Sequence, residues 1–297
     1  METMRDIKRR IKSVENTKKI TKAMKMVAAA KLRRAQEKAE SARPFFKRTR
    51  LVLQDIVSNT GTFAELPLLG DATGEKTLLV TITGDRGLCG AYNSRVIKET
   101  RRSLLKREPA TLLTIGKKAL RTFSREQQEI VADYTDIDDY PGFWFARRIT
   151  NRIIDTYKQE GYKEARLIYT HFDSPLNQTV YNIPLLPVIP PEERDPESRG
   201  YADGEEGEEG IAVDYLYEPS PPEVLDVILP QYVNNLIYAA LLESKASEFG
   251  ARMTAMDSAT ENATEMIDDL TLEYNRVRQA QITKEISEIV SGAEAQK

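Results

Sequence analysis

Met253, Met256, Thr260, Ala263, Ile267, Leu270, Tyr274 and Val277 follow one another at strictly alternating steps of three and four residues. A seam with this 3.5-residue period, held over about three and a half repeats, predicts a left-handed coiled coil. It therefore demands a second long helix elsewhere in the chain. Past Val277 the seam lapses into Gln281 and Lys284, while Ile282, Ile286 and Ile289 open a new face. The lapse reads as the helix leaving its partner and meeting other surfaces.

The first 58 residues supply the partner. They contain no glycine, one proline (Pro44) and an abundance of Ala, Lys, Arg, Met and Glu, which favours one helix of roughly 80 Å, less if Pro44 kinks it. Met4, Ile7, Ile11, Val14, Ile20, Met24, Val27 and Ala28 form a narrow stripe of mostly small side chains. Such a stripe suits another helix and is too narrow to cover a sheet. From Gln231 to about residue 290 the pattern is again helical, with Gly250 the only interior glycine.

Between the helices the period changes. Thr77–Thr83, Ala110–Ile115, Ala165–Phe172 and Gln178–Val188 read as strands, with helices near Tyr92–Lys106, Lys117–Arg125 and Phe143–Glu160. The alternation predicts a small α/β domain with a largely parallel sheet. The expected fold is thus α/β: a central Rossmann-like domain whose two chain ends extend as an antiparallel coiled coil. The expected divisions are 1–58 for the N-terminal helix, 75–190 for the α/β domain, 191–220 for an acidic loop and foot segment, and 221–297 for the C-terminal helix. Residues 191–210 are acidic and Gly-rich, with almost nothing to bury.

Charge is distributed unevenly. Residues 1–50 hold 17 Lys/Arg against 5 Asp/Glu, while 191–218 hold 11 Asp/Glu against 2 Arg. A basic helix of this kind fits a phosphate backbone as well as it fits a protein collar with an acidic lining. One cysteine excludes an internal disulfide and points to a reducing compartment. One histidine excludes any two-histidine metal motif. No apolar run approaches the ~20 residues of a membrane span, and METMRDIKRRIK lacks the apolar core of a secretory signal. The protein is expected to be soluble, or membrane-bound only through something else.

Gly84-Asp85-Arg86-Gly87-Leu88-Cys89-Gly90 follows a strand and precedes a helix, the place where backbone N–H groups can cradle a phosphate. Its spacing is G-x-x-G-x-x-G, however, and no Gly-Lys-Ser/Thr follows. A tight strand-to-helix turn is the plainer reading. Cys89 lacks a base nearby in sequence and reads as a small buried hydrophobe. His171 reads as a strand-end residue with an ordinary hydrogen bond. Asp138/Asp139 and Asp268/Asp269 read as solvated faces. No catalytic constellation emerges, and neither a metal nor a cofactor is called for.

Several stretches resemble the gamma subunits of F-type ATP synthases of bacterial type. They are IKSVENTKKITKAMKMVAAAKLRRAQ at 11–36, GDRGLCGAYN at 84–93, DYLYEP at 214–219, ARMTAMDSATENA from Ala251, and YNRVRQAQITKEISEIVSG from Tyr274. The resemblance covers essentially the whole chain. It implies a non-catalytic rotor shaft that turns inside three alpha and three beta subunits, holds the epsilon subunit and stands on the membrane c ring. Membrane association is then indirect, at the cytoplasmic face of a bacterial plasma membrane, without nucleic acid.

Residue by residue, the resemblance makes Met24 a contact with a beta subunit, where a charged replacement is expected to spoil coupling. Arg278 and Gln279 match the pair that meets the catch loop of one beta subunit, with Thr283 and Glu285 as supporting polar positions. Arg252 matches a position facing the first helix. Tyr215, Tyr217 and Glu218 match contacts with the c ring. The paired cysteines of plant relatives are missing, so thiol regulation is not implied. Two other readings predict different behaviour. A nucleotide-binding enzyme using the Gly84–Gly90 turn would bind nucleotide as an isolated chain, and a nucleic-acid-binding coiled coil would form a steeply salt-dependent complex.

Overall fold

A computed structural model describes residues 3–60, 68–69, 74–107, 109–159, 161–188, 218 and 220–294. The elements run α1 (Met4–Thr60), β1 (Lys76–Ile82), α2 (Tyr92–Lys106), β2 (Ala110–Ile115), α3 (Lys117–Arg125), β3 (Ile130–Tyr134), α4 (Phe143–Gln159), β4 (Tyr162–Phe172), β5 (Gln178–Leu186) and α5 (Pro221–Glu294). The chain forms two compact units, Met1–Ala28 with Met253–Lys297, and Ala29–Arg252. The division falls inside the two long helices.

In the second unit, five strands are ordered β3-β2-β1-β4-β5. β1 pairs in parallel with β2 and β4, β2 pairs in parallel with β3, and β5 returns antiparallel to β4. Parallel neighbours need crossovers, and α2, α3 and α4 provide them. β1 is central and buried on both faces, which explains its nearly unbroken apolar run. Leu78, Val80 and Ile82 point into the larger core with Leu113, Ile115 and Leu167, against Ile149 and Ile153 of α4 and Leu225, Val233 and Ile237 of α5. Leu79 points the other way and packs with Leu112, Ile168, Val96 and Phe123 under α2 and α3. The result is a three-layer sandwich.

β3 has no counterpart among the strands expected from sequence. It is a five-residue edge strand whose first three residues are half-buried and whose fourth, Asp133, is exposed. Its alternation is therefore weak. α5 begins about ten residues before Gln231 and carries Pro230 inside it. One stretch of α5 within residues 222–293 is long and apolar enough to span a membrane by composition, against the sequence-based expectation. That stretch is 61% buried within the fold, as the core helix of a sheet domain must be.

Because α5 is buried nearly all round from Tyr232 to Ala251, its polar residues need partners. Ser247 Oγ donates to Thr170 O (3.2 Å), Lys245 Nζ to Ile137 O (3.3 Å), and Asn235 Nδ2 to Thr49 Oγ1 (3.1 Å). These bonds fix the rotation of α5 against the sheet.

Candidate functional site

In the first unit, α1 and α5 run antiparallel. Thr260 Oγ1 donates to Thr21 Oγ1 at 2.8 Å, and Lys25 Nζ pairs with Asp257 Oδ1 at 2.5 Å. Moving back along α1 thus means moving forward along α5. On α5, Met256, Ala263 and Leu270 are buried, and Met253, Thr260, Ile267, Tyr274 and Val277 are half-buried. On α1, Ile7, Thr21 and Ala28 are buried, and Met4, Ile11, Val14, Lys18, Met24 and Lys25 are half-buried. Alanine and threonine at inner positions let two backbones approach closely.

The stripe read from the α1 sequence needs correcting. Ile20 and Val27 are 60% and 55% exposed, and Lys18, Thr21 and Lys25 occupy the inward positions instead. The steps of three and four begun at Met4, Ile7, Ile11 and Val14 continue through Lys18, Thr21, Lys25 and Ala28. Thr21 and Lys25 hold that line by pairing across the seam, so apolar spacing alone misses it. Ile20, Val27 and Met26 are left as an apolar outer surface.

Arg278, Gln279, Thr283 and Glu285 are all exposed. Thr283 Oγ1 donates to Gln279 O at 3.0 Å, and Gln281 Nε2 to Glu285 Oε1 at 2.9 Å, both within one helical turn. Ile282, Ile286, Ile289 and Val290 are exposed beside them. A helix segment with cations, amides and branched apolar side chains all outward has not buried its own amphipathic face. Glu218 is exposed, whereas Tyr215, Tyr217 and the acidic stretch 191–210 lie outside the described residues.

The turn after β1 lies where a doubly wound sheet most often binds ligands, at the C-terminal strand ends where strand order reverses. Here several groups of the turn are committed internally, while Arg86, Leu88 and Gly90 are exposed. Gly84 N–H donates to Asn93 Oδ1 at 2.8 Å. Asp85 accepts Lys117 N–H at 2.9 Å and Ile137 N–H at 2.8 Å, so it caps α3 and pins the loop before α4. Arg252 Nη2 donates to Gly87 O at 3.3 Å and to Glu248 Oε1 at 2.7 Å, and Lys245 Nζ reaches Glu248 Oε2 at 3.4 Å. A Cβ at Gly84 would lie 3.0 Å from the Glu248 carboxyl carbon. The space beside Gly84 is occupied by the Glu248 side chain of α5, whose carboxylate is paired with Lys245 and Arg252.

Cys89 is buried with Tyr92 and Ala251. Burial pushes its thiol up, away from the reactive thiolate. Burial, reinforced by Glu248, also pushes the Tyr92 phenol well up. Arg252, for which the resemblance implies a contact with the first helix, is engaged by Glu248 and the Gly87 carbonyl. The Lys245–Glu248–Arg252 group was not legible as a site, because a charged run in a helix ordinarily reads as a solvated face. Among the described residues no cluster of His, Cys, Asp and Glu has the arrangement to hold a metal.

The sequence profile of a family described as ATP synthase matches residues 3–296. The chain is 52% identical over 297 residues to the ATP synthase gamma chain of Halothermothrix orenii, covering all of both chains. It is 47% identical to the ATP synthase gamma chain of Heliobacterium modesticaldum, over 99% of each. Among solved structures it resembles a chain of the Tetrahymena thermophila mitochondrial ATP synthase central stalk and c ring, with a TM-score of 0.59, 27% identity and coverage of 81% of this chain and 99% of that one. It shares its fold with a chain of the Euglena gracilis mitochondrial ATP synthase rotor, with a TM-score of 0.66, 18% identity and coverage of 94% and 98%.

Proposed function

This chain belongs to the ATP synthase gamma-chain family, and from that premise we propose that it transmits torque through the outward-facing residues of its antiparallel helix pair. It is the central rotor subunit of an F-type ATP synthase and has no catalytic role of its own. It is part of the membrane-attached F1 portion of that enzyme. The partners we assign are three alpha and three beta subunits around the helices, the epsilon subunit, and the c ring beneath. Attachment to the membrane is indirect, at the cytoplasmic face of the bacterial membrane.

The observation that carries the reading is the exposure of α5 beyond Val277. The seam ends there, and Arg278, Gln279, Thr283 and Glu285 become free to meet a beta subunit. Arg278 keeps its charge at any physiological pH and can grip a carboxylate with two parallel bonds. Met24 and the exposed Ile20 and Val27 give α1 an apolar surface for the same collar. Contacts confined to one side make each shaft angle favour one arrangement of the surrounding subunits. Rotation then shifts their populations, and their transitions push the shaft. Tyr215, Tyr217 and Glu218 are assigned to the c ring.

The test is ATP hydrolysis and native mass of alpha and beta subunits from the same source, with and without this chain. One copy is expected to join the hexamer. Changing Arg278 and Gln279 together to alanine is expected to lower rotation-linked turnover about tenfold, a loss of ~1.4 kcal/mol in angle-dependent contacts. A chain that joins no hexamer and leaves hydrolysis unchanged would sink the assignment.

A further inference from the structure

The single histidine of the chain sits between two carboxylates. His171 lies near the end of β4, with Nδ1 2.8 Å from Glu243 Oε2 on α5 and Nε2 3.2 Å from Asp173 Oδ1 in the β4–β5 turn. The Tyr181 ring of β5 stacks on the imidazole, with centroids 4.9 Å apart and planes 15° from parallel. The side chains of Glu243, His171 and Asp173 are 4%, 21% and 37% exposed. The ordinary strand-end hydrogen bond expected from sequence is therefore a three-residue link across β4, its turn and α5.

The two carboxylates beside the ring favour its charged form. A neutral imidazole donates from one nitrogen and presents a lone pair at the other. Nδ1 is hydrogen-bonded to Glu243, and Nε2 lies at ion-pair distance from Asp173, so a charged ring is paired with two carboxylates and a neutral one with neither. On α5, the next charged residues, Lys245 and Glu248, are engaged with each other and with Ile137 O and Arg252. From the turn, Asp173 also accepts from Asn177 Nδ2 (3.2 Å) and Thr179 Oγ1 (3.1 Å), which fixes it toward the ring. From β5 the ring meets the phenol face of Tyr181. From α2, Arg95 Nη1 bonds to Gln178 O at 3.3 Å.

We propose that His171 is a proton-dependent tie that fastens the β4–β5 hairpin to α5 by pairing with Glu243 and Asp173 when charged, and loses both ion pairs when it gives up the proton. Its contribution is fully present below the ~6.5 of a free imidazole, as long as the two carboxylates stay ionised, and fades as pH rises through the titration of the folded imidazole. The tie joins the sheet's antiparallel edge to the helix that runs through its core. The hairpin is thus loosened at alkaline pH.

With one histidine, imidazole NMR of the full-length labelled chain gives a single, self-assigned titration. The midpoint is expected above the ~6.5 of a free imidazole, with both nitrogens protonated below it. Asp173→Asn, at a partly exposed position, is expected to lower the midpoint, and Glu243→Gln to lower it further. If the buried Glu243→Gln variant fails to fold, Asp173→Asn carries the test alone. The melting-temperature difference between wild type and His171→Gln is expected to narrow as pH rises through the midpoint. A midpoint at or below the free value overturns the proposal, as does one that Asp173→Asn leaves in place.

Discussion

Gly116→Ala is expected to leave little folded protein, with a stability loss of about 4 kcal/mol or more. Gly116 stands between β2 and α3 with φ at +102°, a backbone conformation L side chains rarely adopt. An added Cβ would sit 2.1 Å from the Thr83 carbonyl oxygen and 2.8 Å from Thr83 Oγ1. Neither atom has room to move. Thr83 N–H donates to Ile115 O at 2.7 Å, and Thr83 Oγ1 accepts Ala119 N–H at 3.0 Å. Gly116 N–H itself donates to Tyr134 O at 2.7 Å, which ties the edge strand β3 into the sheet. Urea unfolding of the purified variant measures the loss. A change below about 1 kcal/mol would show that the β2–α3 connection relaxes freely and that the close approach is not obligatory.

Glu248→Ala is expected to cost about 3–5 kcal/mol, because it leaves Lys245 and Arg252 facing each other in the interior without their shared anion. The side chains of Lys245, Glu248 and Arg252 are 9%, 6% and 13% exposed. Loss of the carboxylate also releases Arg252, whose second bond holds the Gly87 carbonyl of the turn. For a body of this size the melting temperature is expected to fall on the order of 10 °C. Glu248→Gln retains the shape and one acceptor, and is expected to fall between wild type and Glu248→Ala. A Glu248→Ala chain melting within about 2 °C of wild type would mean that solvent already screens the pair of cations. The contrast with Gly116 separates two causes of stability at the same end of the sheet, backbone fit and buried charge.

The heptad from Met253 to Val277 is legible because coiled-coil packing depends on spacing along one chain. Each inward position shows an apolar or small residue at its own address. The α1 side is only half legible. Lys18, Thr21 and Lys25 occupy inner positions that no hydrophobicity pattern marks; Thr21 and Lys25 do so with Thr260 and Asp257 opposite. The parallel strands are legible from their buried apolar runs. β3 is not, since an edge strand one residue removed from solvent needs no strong alternation. The exposed residues 278–285 stand out where the seam fails, but what they touch rests on family membership.

What the sequence by itself determined is therefore local and periodic: two long helices, the α/β order between them, a turn after β1, and the lapse of the seam at Val277. Tertiary structure decided what depends on residues far apart in the chain. It filled the space beside Gly84 with Glu248, paired with Arg252, both more than 160 positions away by number. It also placed His171 between Asp173 and Glu243, and turned Ile20 and Val27 outward. The physical reason is that helix and strand periods follow from the geometry of a single backbone, whereas charge pairing and burial are set by which distant segments the folded core brings within a few ångströms.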